Sequence, residues 1–220
     1  MNIQLQRAID RYVGVPICAL FSLVNRILPN KPDGTPPKKI MVILLSEMGS
    51  LVLAQPMFMR LKQQYPDATL HFLMFAKNRE VLDLLGVVPP ENIITLSDKS
   101  LKDLLSDSFN AIRTMRKIGI DAVIDCELFA RISNIFSYLS GAPLRVGFHR
   151  HTQEGLYRGS FLTRPVMYNP YRHLTQQFLT LASALESITD PVGKLFPEPY
   201  VGKTPVVEFP EDELAQVNKE

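Results

Sequence analysis

The 220-residue chain lacks most of the features that mark a protein's class at a glance. It has two cysteines, Cys18 and Cys126, far apart and in unlike settings. Cys18 lies in an apolar N-terminal segment and Cys126 ends a predicted buried strand, so no disulfide is expected and a reducing cytosol fits. No group of Cys and His has the spacing of a zinc site. There is no Gly-x-Gly-x-x-Gly and no Walker sequence, which removes the two commonest nucleotide-binding signatures. The formal net charge is only +2, without a basic stripe, and no nucleic-acid partner is expected. The longest apolar stretch, Val13 to Leu23, is eleven residues with one serine. That falls short of the ~20 residues a bilayer span needs. No small-residue cleavage site follows it, so it is not a clean secretory signal.

What is present is a globular balance of 46% hydrophobic and 21% charged residues. One stretch organises it, Lys38 to Gln64. Ile40 to Leu45 is an unbroken apolar run, as expected of a strand buried on both faces of a parallel sheet. Ser46-Glu47-Met48-Gly49-Ser50 is a small, polar turn. Leu51, Val52, Leu53, Met57, Met59 and Leu61 then suit a helix. Strand, glycine turn and helix form the first unit of a doubly wound domain, where ligands meet the carboxyl ends of the strands. Gly49 is expected to let the chain turn tightly and approach a ligand; a plain strand–helix turn is the competing reading.

The rest of the body continues the alternation. Strands are predicted at 68–75, 92–96, 121–126 and 144–147. Helices are predicted at 78–85, 100–118, 131–139 and 174–185. Gly86 and Gly119 stand where two of those helices should stop. The helix at 100–118 is predicted to bury Leu101, Leu104, Leu105, Phe109, Ile112, Met115 and Ile118. The alternation calls for a mostly parallel, Rossmann-like doubly wound α/β sheet with helices on both faces.

Before the body, residues 3–28 show helical spacing of apolar positions flanked by Arg7, Arg11 and Arg26, with Pro16 as a kink or a start. Three readings stay open: an amphipathic helix in the membrane interface, a helix packed on the domain, or a transmembrane anchor. Pro29 to Pro37 is a linker. The expected divisions are 1–37 for the helix and linker, 38–200 for the Rossmann-like domain, and 201–220 as a lead-in to something further.

Polar residues gather at the predicted strand ends. Ser46, Glu47, Met48, Gly49 and Ser50 follow the first strand; Asp125, Glu127 and Arg131 follow the fourth. His149, Arg150, His151, Glu154, Tyr157 and Arg158 follow the fifth. In an open parallel sheet these loops share one edge and would line one crevice. Arginine offers a fork for phosphate oxygens and a carboxylate can take a proton. Plainer roles compete: Asp125 as a helix cap, Arg131 as a solvated residue, His149 and His151 as surface histidines.

At this point the residues resemble a known family. The segment IMVILLSEMGSLVLAQPMFMRLKQQYPDATLHFL is similar to the opening of glycosyltransferase family 9, the heptosyltransferases of bacterial lipopolysaccharide synthesis. IDAVIDCELFARISNIFSYLSGAPLRVGFHR, EGLYRG and HLTQQFLTLASAL follow in the family's order, and the similarity runs from about Lys38 to Leu185. The resemblance implies the N-terminal, acceptor-binding half of a GT-B fold. It implies inverting transfer of a heptose-like sugar from a nucleotide sugar, often ADP-linked, to a lipopolysaccharide-type or other lipid-linked acceptor. No metal cofactor is implied. The implied place is the cytoplasm, peripheral on the inner face of the bacterial inner membrane. Two departures stand out. The family has Gly-Asp where this chain has Gly49-Ser50, and a serine cannot serve unaided as the base. Leu44 stands where the family has a basic residue. Glu47 and Glu154 are the candidates for the missing base; Ser46, Met48, Gly49, Ser50, Glu127, Arg131, His149, Arg150 and Arg158 are the candidates for substrate binding. The donor-binding domain is expected beyond Glu220, so the chain reads as a fragment or a truncated reading frame, inactive alone and poorly soluble where its partner half is missing. A non-catalytic membrane-associated binding or assembly module is the competing reading.

Overall fold

The computed structural model describes residues 3–45, 47–149 and 157–187. Ser46, Arg150, His151, Glu154 and the expected boundary at 200/201 lie outside the described residues. Six strands form one sheet: β1 Lys39–Ile43, β2 Thr69–Phe75, β3 Ile93–Leu96, β4 Ala122–Asp125, β5 Leu144–His149 and β6 Arg164–Met167. Their order is β3-β2-β1-β4-β5-β6, and every neighbouring pair is parallel. This is the doubly wound order, with its switch point between β1 and β4.

The apolar run at 40–45 makes β1 central. Ile40, Met41, Val42 and Ile43 are fully buried, each contributing about 1.5–3 kcal/mol of apolar burial. The run ends by tying into its neighbours: Leu44 N–H donates to the Leu73 carbonyl at 3.1 Å. Alternate residues feed opposite faces. Ile40, Val42 and Leu44 pack with α3 (Met48–Gln64) and α7 (Leu174–Ala184). Met41, Ile43 and Leu45 pack with Leu104, Ala111 and Met115 of α5 (Leu101–Ile118) and Phe136 of α6 (Arg131–Leu139). The helix α4 (Arg79–Leu85) links β2 to β3 and ends at Gly86, whose φ of 57° is left-handed.

Two features differ from the sequence reading. No strand is predicted at 164–167, yet β6 forms there with Pro165 in it. Among the described residues β6 is an edge strand pairing only with β5, a position that tolerates the N–H missing from Pro165. In α5, Leu105 and Phe109 are not buried but 62% exposed, and Leu101 is exposed too. The helix is rotated so that small Ala111, between Leu104 and Met115, lies against the sheet.

The N-terminal segment forms two helical pieces, α1 Ile3–Tyr12 and α2 Gly14–Ile27, meeting at Val13. Pro16 falls in the first turn of α2, where its missing N–H costs nothing. This pair is no free appendage. Phe21 stacks on Tyr138 with centroids 4.7 Å apart. Asn25 accepts from the fully buried Arg145 guanidinium at 3.0 Å. Gly14 lies so close to α6 that an added Cβ would sit 3.1 Å from both Cβ and Cδ of Arg131. Gly14→Leu is therefore expected to lower stability by about 1–3 kcal/mol through overpacking, read as a fall in the urea midpoint; an unchanged midpoint would show that α2 does not bear on α6.

Candidate functional site

The carboxyl ends of β1, β4 and β5 are adjacent because those strands are. The loops that follow them are bonded to one another. Leu45 N–H donates to Glu127 Oε1 at 2.7 Å, and Asn78 Nδ2 donates to the Leu45 carbonyl at 2.7 Å. Glu127 thus clamps the end of β1 from the loop after β4. Asn78, fully buried, was not singled out from the sequence; only the fold shows that its side chain reaches β1.

Arg158 is the hub behind the rim. Its Nε donates to the Ala130 carbonyl at 3.0 Å, and its Nη1 donates to the Glu127 carbonyl at 2.6 Å and the Phe148 carbonyl at 3.2 Å. Its Nη2 donates to Asp125 Oδ2 and to Ser133 Oγ. Arginine has five N–H donors, and all five are engaged. Asp125, at the end of β4, is fully buried. Burial pushes its carboxyl up to about 6, opposed by the Arg158 charge and reinforced by the Glu127 charge. Asp125 does not cap α6: the cap position is Ala130. Its Oδ1 accepts instead from Glu127 N–H at 3.1 Å, and its Oδ2 from Ser133 Oγ at 3.1 Å.

Arg131 is also drawn inward. Its Nη1 meets Asp10 Oδ2 at 2.6 Å, its Nε donates to the Tyr157 carbonyl at 2.7 Å, and its backbone N–H donates to Asp10 Oδ1 at 2.7 Å. Arg131 and Arg158, read from the sequence as acceptor contacts, are both buried and bonded internally. The solvated alternative for Arg131 is equally excluded. They brace the rim; they do not offer it free charge. His149 ends β5, half-buried.

Among the described residues, the turn after β1 presents an exposed carboxylate at this rim. Glu47 is exposed and sits at the cap position of α3 in extended backbone, with the helix N-terminus beside it. Ser50 Oγ donates to Glu47 Oε2 at 3.0 Å. Ser50 thus steadies a carboxylate one turn away. Gly49 corrects the sequence reading. It lies inside the first turn of α3 without a positive φ, and an added Cβ would meet nothing within 4 Å. The fold does not need glycine there, so the bare backbone leaves room above the helix N-terminus. Gly49→Ala is expected to leave stability unchanged or raise it by about 0.5–1 kcal/mol, measured by thermal unfolding; a clear loss would mean that the glycine is structural. Met48, Val52 and Phe129 add exposed apolar surface, between 50% and 60% accessible. Phe129 was missed from the sequence, where a lone aromatic in a loop carries no signal.

No protein-family model and no curated protein matches the chain. Solved structures do. E. coli ADP-heptose LPS heptosyltransferase II aligns with a TM-score of 0.62 at 20% identity, over 82% of this chain and 50% of that one. The glycosyl transferase family 9 protein from Veillonella parvula DSM 2008 aligns with a TM-score of 0.59 at 18% identity, over 73% and 44%. E. coli heptosyltransferase WaaC with ADP-2-deoxy-2-fluoro heptose gives 0.55 at 14% identity, over 66% and 47%. The chain spans about half the length of these structures. At these identities the likeness is one of fold, and the chain has the Rossmann-like α/β fold that family 9 glycosyltransferases and ADP-heptose heptosyltransferases carry over about half of their length.

Proposed function

We propose that this chain is the acceptor-binding part of an inverting glycosyltransferase. It would move a heptose-like sugar from a nucleotide sugar, ADP-linked by analogy with the heptosyltransferase neighbours, to a lipopolysaccharide-type or other lipid-linked acceptor. The observation that carries this reading is Glu47: an exposed carboxylate at the switch-point rim, held by Ser50, on a fold shared with sugar transferases. In this reading Glu47 takes the proton of the acceptor hydroxyl as its oxygen attacks the anomeric carbon. The carbon–oxygen bond to the nucleotide breaks and the nucleotide diphosphate leaves with the electron pair, stabilised by the half that binds the donor. Met48, Gly49 and Ser50 would line the acceptor side with His149, and Ser46 and Arg150 are further candidates for acceptor contact. Glu154 is the second candidate base. The reading needs no metal cofactor. It places the protein in the cytoplasm, against the inner face of the inner membrane.

The test has two arms. Deacylated lipopolysaccharide core oligosaccharide is titrated against this chain, and binding is expected to weaken in Glu47→Gln. The chain joined to a donor-binding half is then supplied with ADP-sugar and the lipid-borne acceptor, and sugar transfer with inversion is expected. The absence of both binding and transfer would overturn the proposal. A non-catalytic binding or assembly module is favoured by one observation, Ser50 in place of the usual aspartate; binding without transfer in the joined protein would select it.

A further inference from the structure

The helix α2 has two unlike faces. One is fastened to the body through buried Gly14 and Cys18 and through Phe21, Ser22 and Asn25. The opposite face, which exposed Tyr12 and Val13 precede at the junction with α1, carries Pro16, Leu20, Leu23 and Ile27, the last three between 56% and 67% exposed. Their spacing of three and four residues puts them on one side of the helix. No charged residue stands between Arg11 and Arg26, and no carboxylate stands between Asp10 and Asp33. Arg7, Arg11, Arg26 and Lys31, before and after this stretch in the sequence, are exposed. An apolar stripe that the fold leaves in water, with exposed arginines before and after it in the sequence and its nearest preceding carboxylate, Asp10, paired to Arg131, complements a surface that is apolar beneath and anionic above.

We propose that this outer face of α2 is a docking surface for an anionic phospholipid bilayer, on which the helix lies in the plane of the interface. The proposal deepens the membrane location given above, but it rests on exposure and charge and not on sugar transfer. Residues Arg7–Ile27 are long and apolar enough, by length and composition, to cross a membrane. Spanning would strip Asp10 from Arg131 and Asn25 from Arg145, leaving buried charges without partners. In-plane docking keeps both. It also sets the bilayer at a fixed side of the rim, because Asp10 and Ser22 hold Arg131 and the 157–160 segment.

The experiment is sedimentation of the full chain with vesicles of phosphatidylglycerol and phosphatidylethanolamine, and with vesicles of phosphatidylcholine alone. Binding to the anionic vesicles is expected to be tighter and to weaken with salt. Leu20→Glu with Leu23→Glu should cut it about tenfold or more while the unfolding midpoint stays put. Arg7→Gln, Arg11→Gln and Arg26→Gln together should abolish the preference for anionic lipid. Undiminished binding by the Leu20/Leu23 variant would overturn the proposal. So would a dimer in solution that this variant disperses without any vesicle binding, which would assign the face to a second copy. Retention in vesicles through high salt and urea would assign it to a span. No sugar enters this experiment, so its failure leaves the transfer reading untouched, and the reverse holds.

Discussion

Asp125→Ala is expected to destabilise the protein by about 3–5 kcal/mol, because it leaves the Arg158 guanidinium buried without its carboxylate. The side chains of the pair are 0% and 4% exposed, so water cannot replace the lost partner. The obvious repair fails for a specific reason. Buried ion pairs often tolerate joint replacement by apolar residues. Here Asp125→Leu with Arg158→Met would also orphan the carbonyls of Ala130, Glu127 and Phe148. The double variant is therefore expected to stay well below the parent in urea unfolding. Recovery to parental stability would show that those carbonyls find other donors and that Arg158 is no hub.

The same carboxyl sets a pH signature. Its value in the fold is about 6 against an ordinary 3.8, with burial the largest cause. Between those values the folded state holds the proton more tightly than the unfolded chain. Its contribution to stability is therefore fully present below 3.8 and falls as pH rises through 6. His71 runs the other way: burial and the nearby Lys39 charge lower it, so its contribution is lost as pH falls below 6.5. Comparing the parent with Asp125→Asn over pH 4–7 cancels His71. The parent's advantage is expected to shrink as pH rises through that window, and a flat difference would place the titration elsewhere.

Under the proposed transfer mechanism, Glu47→Gln is expected to lower kcat by about a hundredfold to ten-thousandfold in the chain joined to a donor-binding half. The donor's KM should barely move, since under that mechanism the change removes a proton acceptor and not a donor contact. Ser50→Ala removes the hydroxyl that holds the carboxylate at 3.0 Å, and should cost about tenfold or less. If Glu47→Gln keeps full turnover while Glu154→Gln abolishes it, the base is Glu154. If both keep full turnover, the carboxylate mechanism is gone.

Much of the frame was legible from local pattern. The run at 40–45 suited a strand buried on both sides, and β1 covers its first four residues. Gly86 and Gly119 announced helix ends, and both adopt left-handed backbone there. Arg131 opens α6 as read. Each of these is decided by neighbours within a few residues. Other features were not local. The burial of Ala111 in place of Leu105 depends on how α5 rolls on the sheet. Pro165 in a strand is acceptable only because that strand is at the edge.

The site divides along the same line. Residue order alone set the parallel α/β alternation and gathered Glu47, Glu127, Arg131 and Arg158 at strand ends, since hydrophobic period and turn residues act along the chain. Which of these charges face water was settled only by packing. Arg131 and Arg158 are drawn in by Asp10, Asp125 and carbonyls between 10 and 121 positions away, while Glu47 is left out in solvent. A buried guanidinium needs partners that lie close in space, and spacing along a sequence does not encode distance across a fold.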